Sequence, residues 1–201
     1  MQIGTSLQYG LLKARALLLL ACVKRPAALA TFDQMLRLRP EDPYALASRA
    51  HVAAQLQLTQ EAIASLRQLT AVRPGHAAGW FNLGYVLQQA GHHEEAGPAF
   101  ERAVGLDARL DQAWYGLALV HVEARRFEEA AQALQKNTAL QPLSPYGWYR
   151  LAQVWLALGQ PGKARKVIAH LRRFEPRVAA QFERENEAAF AGAGGEAHAA
   201  H

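Results

Sequence analysis

The sequence predicts an all-α protein built as a solenoid of antiparallel helix pairs, and three observations support this fold class. Apolar and small residues recur at a fixed interval of 34 residues, which is typical of stacked helix pairs. No stretch combines alternating apolar and polar residues with β-branched enrichment, so no strand is predicted. Apolar residues make up 51% of the chain and charged residues 19%, which is enough apolar side chain for a continuous core.

The period is clearest at Trp80, Trp114 and Trp148, and counting back by the same interval reaches Leu46 and Leu12. Four residues after this position the residue is small, at Ala16, Ala50, Gly84, Ala118 and Ala152. Sixteen residues after it every copy has alanine, at Ala28, Ala62, Ala96, Ala130 and Ala164. A bulky residue follows, at Phe32, Leu66, Phe100, Leu134 and Ile168. The copies close at Pro40, Pro74, Ala108, Pro142 and Pro176.

Each position of the period has a physical role. Gly or Ala at the two small positions lets the first helix (A) and the second helix (B) of one repeat cross closely, because a larger side chain would hold the backbones apart. The Trp or Leu and the later Phe, Leu or Ile fill the space between neighbouring repeats. Proline cannot continue a helix interior, so it ends helix B.

The period therefore predicts five helix pairs, with Gly91 and Gly159 in two of the turns within a pair. The predicted pairs are 8–22 and 26–38, 43–56 and 59–72, 77–90 and 93–106, 111–124 and 127–140, and 145–158 and 161–174. Glu94 and Glu95 open one helix B, where negative charge complements the helix dipole.

A last helix is predicted at 177–190, because it places Val178, Phe182 and Phe190 on one face. A repeat array needs such a terminal helix with a polar outer face. We therefore expect one domain over 1–190, with repeats at 9–42, 43–76, 77–110, 111–144 and 145–178 followed by the capping helix. The Ala- and Gly-rich segment 191–201 is expected to be a disordered tail.

The segment Ala78–Tyr85, with the sequence AGWFNLGY, together with Ala96, Phe100 and Ala103, resembles a tetratricopeptide repeat (TPR). The resemblance covers about 9–178 as five repeats, nearly the whole chain. The first two repeats depart from the family pattern in having Leu for Trp, and Ala108 replaces a proline. The resemblance implies a right-handed superhelix in which the A helices line a concave groove.

The resemblance also indicates which side chains line that groove. They are Tyr44, Ser48, His51, Gln55, Phe81, Asn82, Tyr85, Gln88, Gln89, Gln112, Tyr115, Glu123, Tyr146, Tyr149, Arg150 and Gln153. The first repeat instead contributes a markedly apolar set, Lys13, Ala14, Leu17, Leu20 and Ala21. Aromatic and Arg side chains are common binding hot spots, and amides can hydrogen-bond to an extended peptide backbone. For Phe81, Tyr115 and Tyr149 the alternative role is packing against neighbouring A helices. For Asn82, Gln88, Gln89 and Gln153 the alternative is solvated surface.

The leading functional hypothesis is a non-catalytic interaction scaffold or adaptor that binds a segment of a partner protein. One alternative is a structural subunit that is docked in a larger complex or self-associated, because Leu11, Leu12, Leu17–Leu20 and Val23 are many apolar residues for one end helix. A second alternative is a lipid-anchored bacterial envelope assembly factor, in which Cys22 after the apolar run is lipidated. The run is short for a signal core.

The sequence indicates no enzyme, no catalytic residue, no cofactor and no metal site. His92, His93, Glu94 and Glu95 lack the two-histidine spacing of a zinc helix. The net charge of +5 is spread over scattered Lys and Arg, which disfavours nucleic-acid binding. The lone Cys22 forbids an internal disulfide and favours a reducing, cytoplasmic location; on an apolar helix we expect it to be buried.

Overall fold

A computed structural model describes residues 2–191, with side chains described over 4–190. Over these residues the secondary structure is entirely helical, which confirms the predicted all-α fold class. The helices are α1 (Gln2–Ala21), α2 (Arg25–Leu38), α3 (Pro43–Gln55), α4 (Thr59–Val72), α5 (Ala77–Gln89), α6 (His93–Leu106), α7 (Asp111–Glu123), α8 (Phe127–Leu140), α9 (Pro145–Ala157), α10 (Pro161–Leu171), α11 (Pro176–Glu185) and α12 (Glu187–Ala191).

The chain divides into two compact units between Asp107 and Ala108. In the first unit α1 packs with α2, α3 with α4, and α5 with α6; α2 also packs on α3 and α4 on α5. In the second unit α7 packs with α8 and α9 with α10, α8 packs on α9, and α11 packs on both α9 and α10. The predicted helix pairs are therefore present in each unit. A single domain over 1–190 stays a prediction.

The observed helices differ from the predicted boundaries at three places. Helix α1 begins at Gln2, six residues before the predicted start, and α10 ends at Leu171, three residues before its predicted end. Pro176 restricts the residue before it to extended backbone, so the chain leaves the helix ahead of α11. The predicted capping helix is divided at Asn186, whose side-chain amide donates to the carbonyl of Phe182 at 2.8 Å.

The predicted tail, 191–201, lies outside the described residues except for Ala191, which ends α12.

The small positions of the period are buried where the two helices of a pair cross. The alanines sixteen residues after the Trp position, Ala28, Ala62, Ala96, Ala130 and Ala164, are all fully buried. In the third repeat the close approach falls on Gly84, where an added Cβ would lie 2.9 Å from Cδ1 of Phe100. A larger residue at these positions would push the helices apart, as the period predicts.

The turn within each pair has the same backbone geometry in all five repeats. Positive φ occurs at Val23, Gln57, Gly91, Arg125 and Gly159, which follow one another at intervals of 34 residues. Two backbone hydrogen bonds close each turn; at Gln57 they run from Gln57 N to Ala54 O at 3.1 Å and from Leu58 N to Ala53 O at 2.9 Å. This is a Schellman motif, which favours glycine at the positive-φ residue. The repeats therefore share a turn that only two of them mark with glycine.

The three tryptophans at the repeat position, Trp80, Trp114 and Trp148, are each tied to the loop that precedes their own A helix. The indole N–H of Trp80 donates to Pro74 O at 2.9 Å, that of Trp114 to Ala108 O at 3.0 Å, and that of Trp148 to Pro142 O at 2.9 Å. The acceptor is the closing position of the period, which is proline in two cases and Ala108 in the third. Because the bond uses a backbone carbonyl, the Pro-to-Ala departure at 108 leaves it intact.

Candidate partner-binding surface

An exposed stripe of polar and aromatic side chains runs along α5 in the first unit. Asn82, Tyr85 and Gln89 are spaced by three and four residues, so they lie on the same face of the helix. All three are exposed, and Tyr85 keeps 51% of its surface accessible. Gln88, beside them, is half-buried. The stripe therefore offers one large aromatic surface between two amides that are free to face a ligand.

Phe81 supports this stripe from beneath. Its ring centroid lies 6.3 Å from that of Tyr85 and 6.1 Å from that of the buried Phe100 on α6. Phe81 is only partly exposed, so packing accounts for much of its surface. Phe81 therefore contacts the core through Phe100 and the ring of Tyr85 through its own ring.

The predicted residues on α3 form a separate set. His51 and Gln55 are exposed, and their side-chain nitrogens, Nε2 of each, lie 2.9 Å apart. Arg25, at the start of α2, donates from Nε to Gln55 Oε1 at 2.7 Å. These contacts order the amide of Gln55. Arg25 was not among the predicted site residues, because its approach to Gln55 depends on how α2 packs against α3.

Tyr44, nearer the start of α3, is partly buried by its neighbours. Its ring meets Phe32 edge-on, with centroids 6.4 Å apart, and Lys13 Nζ of α1 lies 4.3 Å from the ring centroid. Ser48, one turn further along α3, is half-buried. Tyr44 and Ser48 are thus less available to a partner than His51 and Gln55.

In the second unit the terminal helix covers Tyr149. Its ring lies edge-on against the buried Phe182 of α11, with centroids 5.0 Å apart, and its hydroxyl donates to the carboxylate of Glu185. The hydrogen bond from Tyr149 lowers the pKa of Glu185, and the same bond raises the pKa of Tyr149. Tyr149 therefore anchors α11, whereas the predicted alternative for this residue was packing against a neighbouring A helix.

The other predicted residues of the second unit vary in exposure. On α9, Tyr146 is 74% exposed, and Arg150 donates from Nη1 to Gln153 Oε1 at 3.0 Å. On α7, Gln112 and Glu123 are exposed, and Tyr115 is half-buried. The members of this set that remain exposed in the second unit are Gln112, Glu123, Tyr146 and Arg150.

Cys22 is exposed, and the expectation that it would be buried is wrong. Helix α1 ends at Ala21, and Cys22 lies in the turn that follows, where Val23 has positive φ. Cys22 therefore lies outside the helix, directly after Ala21, which is exposed as well. Over residues 2–191, no group of three or more His, Cys, Asp or Glu side chains is placed to hold a metal ion.

Nowhere in the described range is a helix both long enough and apolar enough to cross a membrane.

Several solved structures share this fold. A crystal structure of MamA protein is 17% identical, with 89% of this chain and 93% of that chain covered and a TM-score of 0.77. MamA from Desulfovibrio magneticus RS-1, from residue 41 to its end, is 21% identical, with coverages of 84% and 96% and a TM-score of 0.77. YrrB, a TPR protein with an unusual peptide-binding site, is 19% identical, with coverages of 84% and 88% and a TM-score of 0.74.

Comparison with curated protein sequences gives no match. The family model described as tetratricopeptide repeat, in contrast, matches the chain in three overlapping stretches, 48–111, 87–136 and 115–176. Together these stretches span well over half of the 201 residues, and they include the Trp, Ala and Pro positions of three repeats. With its helix pairs and this match, the chain belongs to the tetratricopeptide repeat family.

Proposed function

We propose that the protein is a non-catalytic interaction scaffold that binds an extended segment of a partner protein along the A helices of its first unit. The observation that carries this proposal is the exposed stripe of Asn82, Tyr85 and Gln89 on α5. The exposed His51 and Gln55 on α3 add polar groups from the neighbouring A helix of the same unit.

The chemistry of the stripe suits an extended peptide. The amides of Asn82 and Gln89 each carry donors and an acceptor, which match the N–H and C=O groups of a peptide backbone. The ring of Tyr85 supplies a flat apolar surface with few rotatable bonds, and the ring of Phe81 lies beside it. A partner segment would therefore gain contacts without much ordering of this surface.

Support also comes from the family. Its members generally bind protein or peptide partners, and YrrB, which shares the fold, has a peptide-binding site. The exposed Tyr146 and Arg150 on α9 are candidates for a separate contact made by the second unit.

The test compares wild type with the Asn82→Ala/Tyr85→Ala variant. Short random peptides are selected on immobilised wild-type protein by phage display, and the selected peptides are then titrated calorimetrically against both proteins. If the stripe is a hot spot, we expect the variant to lose about 2 kcal/mol or more, which is roughly a 30-fold rise in Kd. Both side chains are exposed, so the helical circular dichroism should not change.

The matched control is Glu101→Ala/Arg102→Ala, which removes two exposed side chains from α6, the helix B of the same repeat. This control should bind the selected peptides as wild type does. A folded Asn82→Ala/Tyr85→Ala protein that keeps wild-type affinity would refute the proposed site. Affinity purification from the native organism with the same three proteins would then name the partner that depends on the stripe.

A further inference from the structure

Helix α1 carries an exposed apolar stripe that the rest of its unit does not cover. Leu7, Leu11 and Leu18 are 68%, 65% and 65% exposed. Ala14 and Ala21 are exposed between and after them. The five positions are separated alternately by four and three residues, so they form one line along the helix. We call this line, Leu7, Leu11, Ala14, Leu18 and Ala21, the α1 seam.

The opposite side of α1 is already used by the fold. Tyr9 and Ala16 are buried in a core with Phe32 and Met35 of α2. Helix α1 is therefore apolar on two sides, one against its own unit and one toward solvent. Scattered exposed leucines are ordinary, but a contiguous apolar line marks an interaction surface.

The spacing of the residues in the α1 seam matches the spacing of the apolar contact positions in a coiled coil. Residues at alternating intervals of three and four are the a and d positions of a heptad, which insert into the gaps between the same positions of a facing helix. The seam continues through two and a half heptads from Gly4 to Ala21. A surface of this kind is complementary to another copy of itself, because twofold symmetry places identical patches against each other.

The charges near the seam are also compatible with the packing of a second copy against it. Helix α1 contains no acidic residue, and its basic residues are Lys13 and Arg15. Lys13 is turned toward the ring of Tyr44 in its own chain, so Arg15 is the charge that flanks the seam. Its heptad position faces Gly10 of a parallel copy, or Gln8 of an antiparallel copy that overlaps along the whole seam. Neither orientation opposes two like charges, and a single flanking cation gives little attraction to an anionic membrane.

The size of the seam is sufficient for a weak to moderate dimer. The segment Gly4–Ala21 is about 27 Å long, and half the circumference of a helix about 12 Å wide is about 19 Å. Covering that strip on both copies buries about 1,000 Å², which is the lower bound for a specific interface.

We propose that this protein forms a homodimer in which the α1 seam of one chain packs against the α1 seam of a second copy. The pairing uses the side of α1 that lies away from its own core. The assembly would then carry two copies of any partner-binding surface.

Light scattering coupled to size-exclusion chromatography tests the dimer on the full chain. Wild type should elute as a dimer that dissociates on dilution. In Leu11→Glu/Leu18→Glu, four carboxylates enter the interface of the pair, and we expect the dissociation constant to rise at least about 100-fold. Both positions are exposed, so helical circular dichroism should stay at the wild-type level. The control Ser6→Glu/Leu143→Glu adds the same charge at exposed positions outside the seam and should remain dimeric.

A crosslinking experiment tests the geometry without depending on charge. In a Cys22→Ser background, Leu11→Cys places a thiol near the middle of the seam, and Ser6→Cys places one beside it. A short bismaleimide should join two Leu11→Cys chains rapidly and two Ser6→Cys chains at least about 10-fold more slowly, because only the seam positions face each other.

Three results would overturn the proposal. They are a wild-type protein that stays monomeric at high concentration, a dimer that survives Leu11→Glu/Leu18→Glu, and equal crosslinking of the two cysteine variants. A monomer that instead binds phosphatidylglycerol vesicles through Leu11 and Leu18 would assign the seam to a membrane surface, and it too would overturn the dimer.

Discussion

The ring of Phe100 lies so close to the backbone of Gly84 that a Cβ at position 84 would be 2.9 Å from both Cδ1 and Cε1 of the ring. Phe100 is fully buried, so its ring has little room to move. We expect Gly84→Ala to destabilise the protein by about 1–3 kcal/mol through overpacking. The higher helix propensity of alanine offsets up to about 1 kcal/mol of this loss. Urea denaturation measures the change.

Gly105, near the end of α6, is the matched control for Gly84. It is also helical, but an added Cβ would have nothing within 4 Å. Gly105→Ala should therefore stabilise the protein by up to about 1 kcal/mol. If both substitutions raise stability, the close approach of Phe100 does not limit the size of the side chain at position 84.

The shared positive-φ turn predicts opposite effects of glycine at different repeats. Gln57 has φ 62° and Gly91 has φ 79° at equivalent positions. For a non-glycine residue this positive-φ conformation costs about 1–2 kcal/mol of folding free energy. Glycine avoids that strain, but its greater conformational freedom in the unfolded state costs about 0.5–1 kcal/mol of stability. Gln57→Gly should therefore stabilise by about 0.5–1 kcal/mol, and Gly91→Ala should destabilise by a similar amount.

The control for these turns is Gly75→Ala, since Gly75 lies in a turn without positive φ and with open space around its Cα. It should leave stability unchanged or slightly raised. Thermal unfolding of the three variants decides the matter: a Gly91→Ala protein as stable as Gly75→Ala would show that the turn relaxes without cost.

Arg49 joins three helices of the first unit. From α3 it donates to Asp33 Oδ1 of α2 at 2.6 Å, and on α4 to Glu61 Oε2 at 3.0 Å and Ser65 Oγ at 2.7 Å. Its side chain is mostly buried, whereas both carboxylates are partly exposed to screening water. Arg49→Met should destabilise by about 1–2 kcal/mol, because it leaves two carboxylates without their shared cation.

Arg67→Met is the comparison for Arg49. Arg67 pairs with Glu95, and both side chains are more than half exposed. An exposed pair of this kind contributes little, so the expected change is within about 0.5 kcal/mol. Equal losses in the two variants, measured by urea denaturation, would contradict a special role for the Arg49 cluster.

The hydrogen bond from Tyr149 to Glu185 predicts a pH window for the docking of α11. The pKa of Glu185 is lowered, so its contribution is present above its unfolded value near 4.3 and is lost as pH falls through the folded-state pKa. The pKa of Tyr149 is raised, so its contribution is present below about 10 and is lost as pH rises further. Tyr149→Phe should therefore lower the melting temperature most between about pH 5 and 9.

Melting curves at about pH 3, 7 and 11 for wild type and Tyr149→Phe provide the test. The difference in melting temperature between the two proteins should be smaller at about pH 3 and at about pH 11 than at about pH 7 if the bond acts as described. Tyr146→Phe, which removes an exposed hydroxyl from the same helix, should follow wild type throughout. A constant difference between wild type and Tyr149→Phe at all three pH values would assign the effect to packing against Phe182 alone.

The sequence by itself determined the helix pairs, because each pair is specified by residues within its own period. Alanine at the sixteenth position is buried in every repeat, Gly84 lies at a close crossing, and the inner helices end within one residue of their predicted positions. These features depend on local side-chain size and on backbone preferences that repeat along the chain. A short pattern that is repeated five times in the sequence is therefore enough to predict these features.

Only the tertiary structure decided which of the predicted surface residues remain available. Tyr85 and Tyr149 occupy comparable A-helix faces in the sequence, yet Tyr85 is exposed while α11 covers Tyr149. Likewise, Cys22 continues an apolar run but turns to solvent after α1 ends. The reason is physical: exposure depends on which other element packs over a side chain, and that neighbour is distant in sequence and outside the repeating pattern.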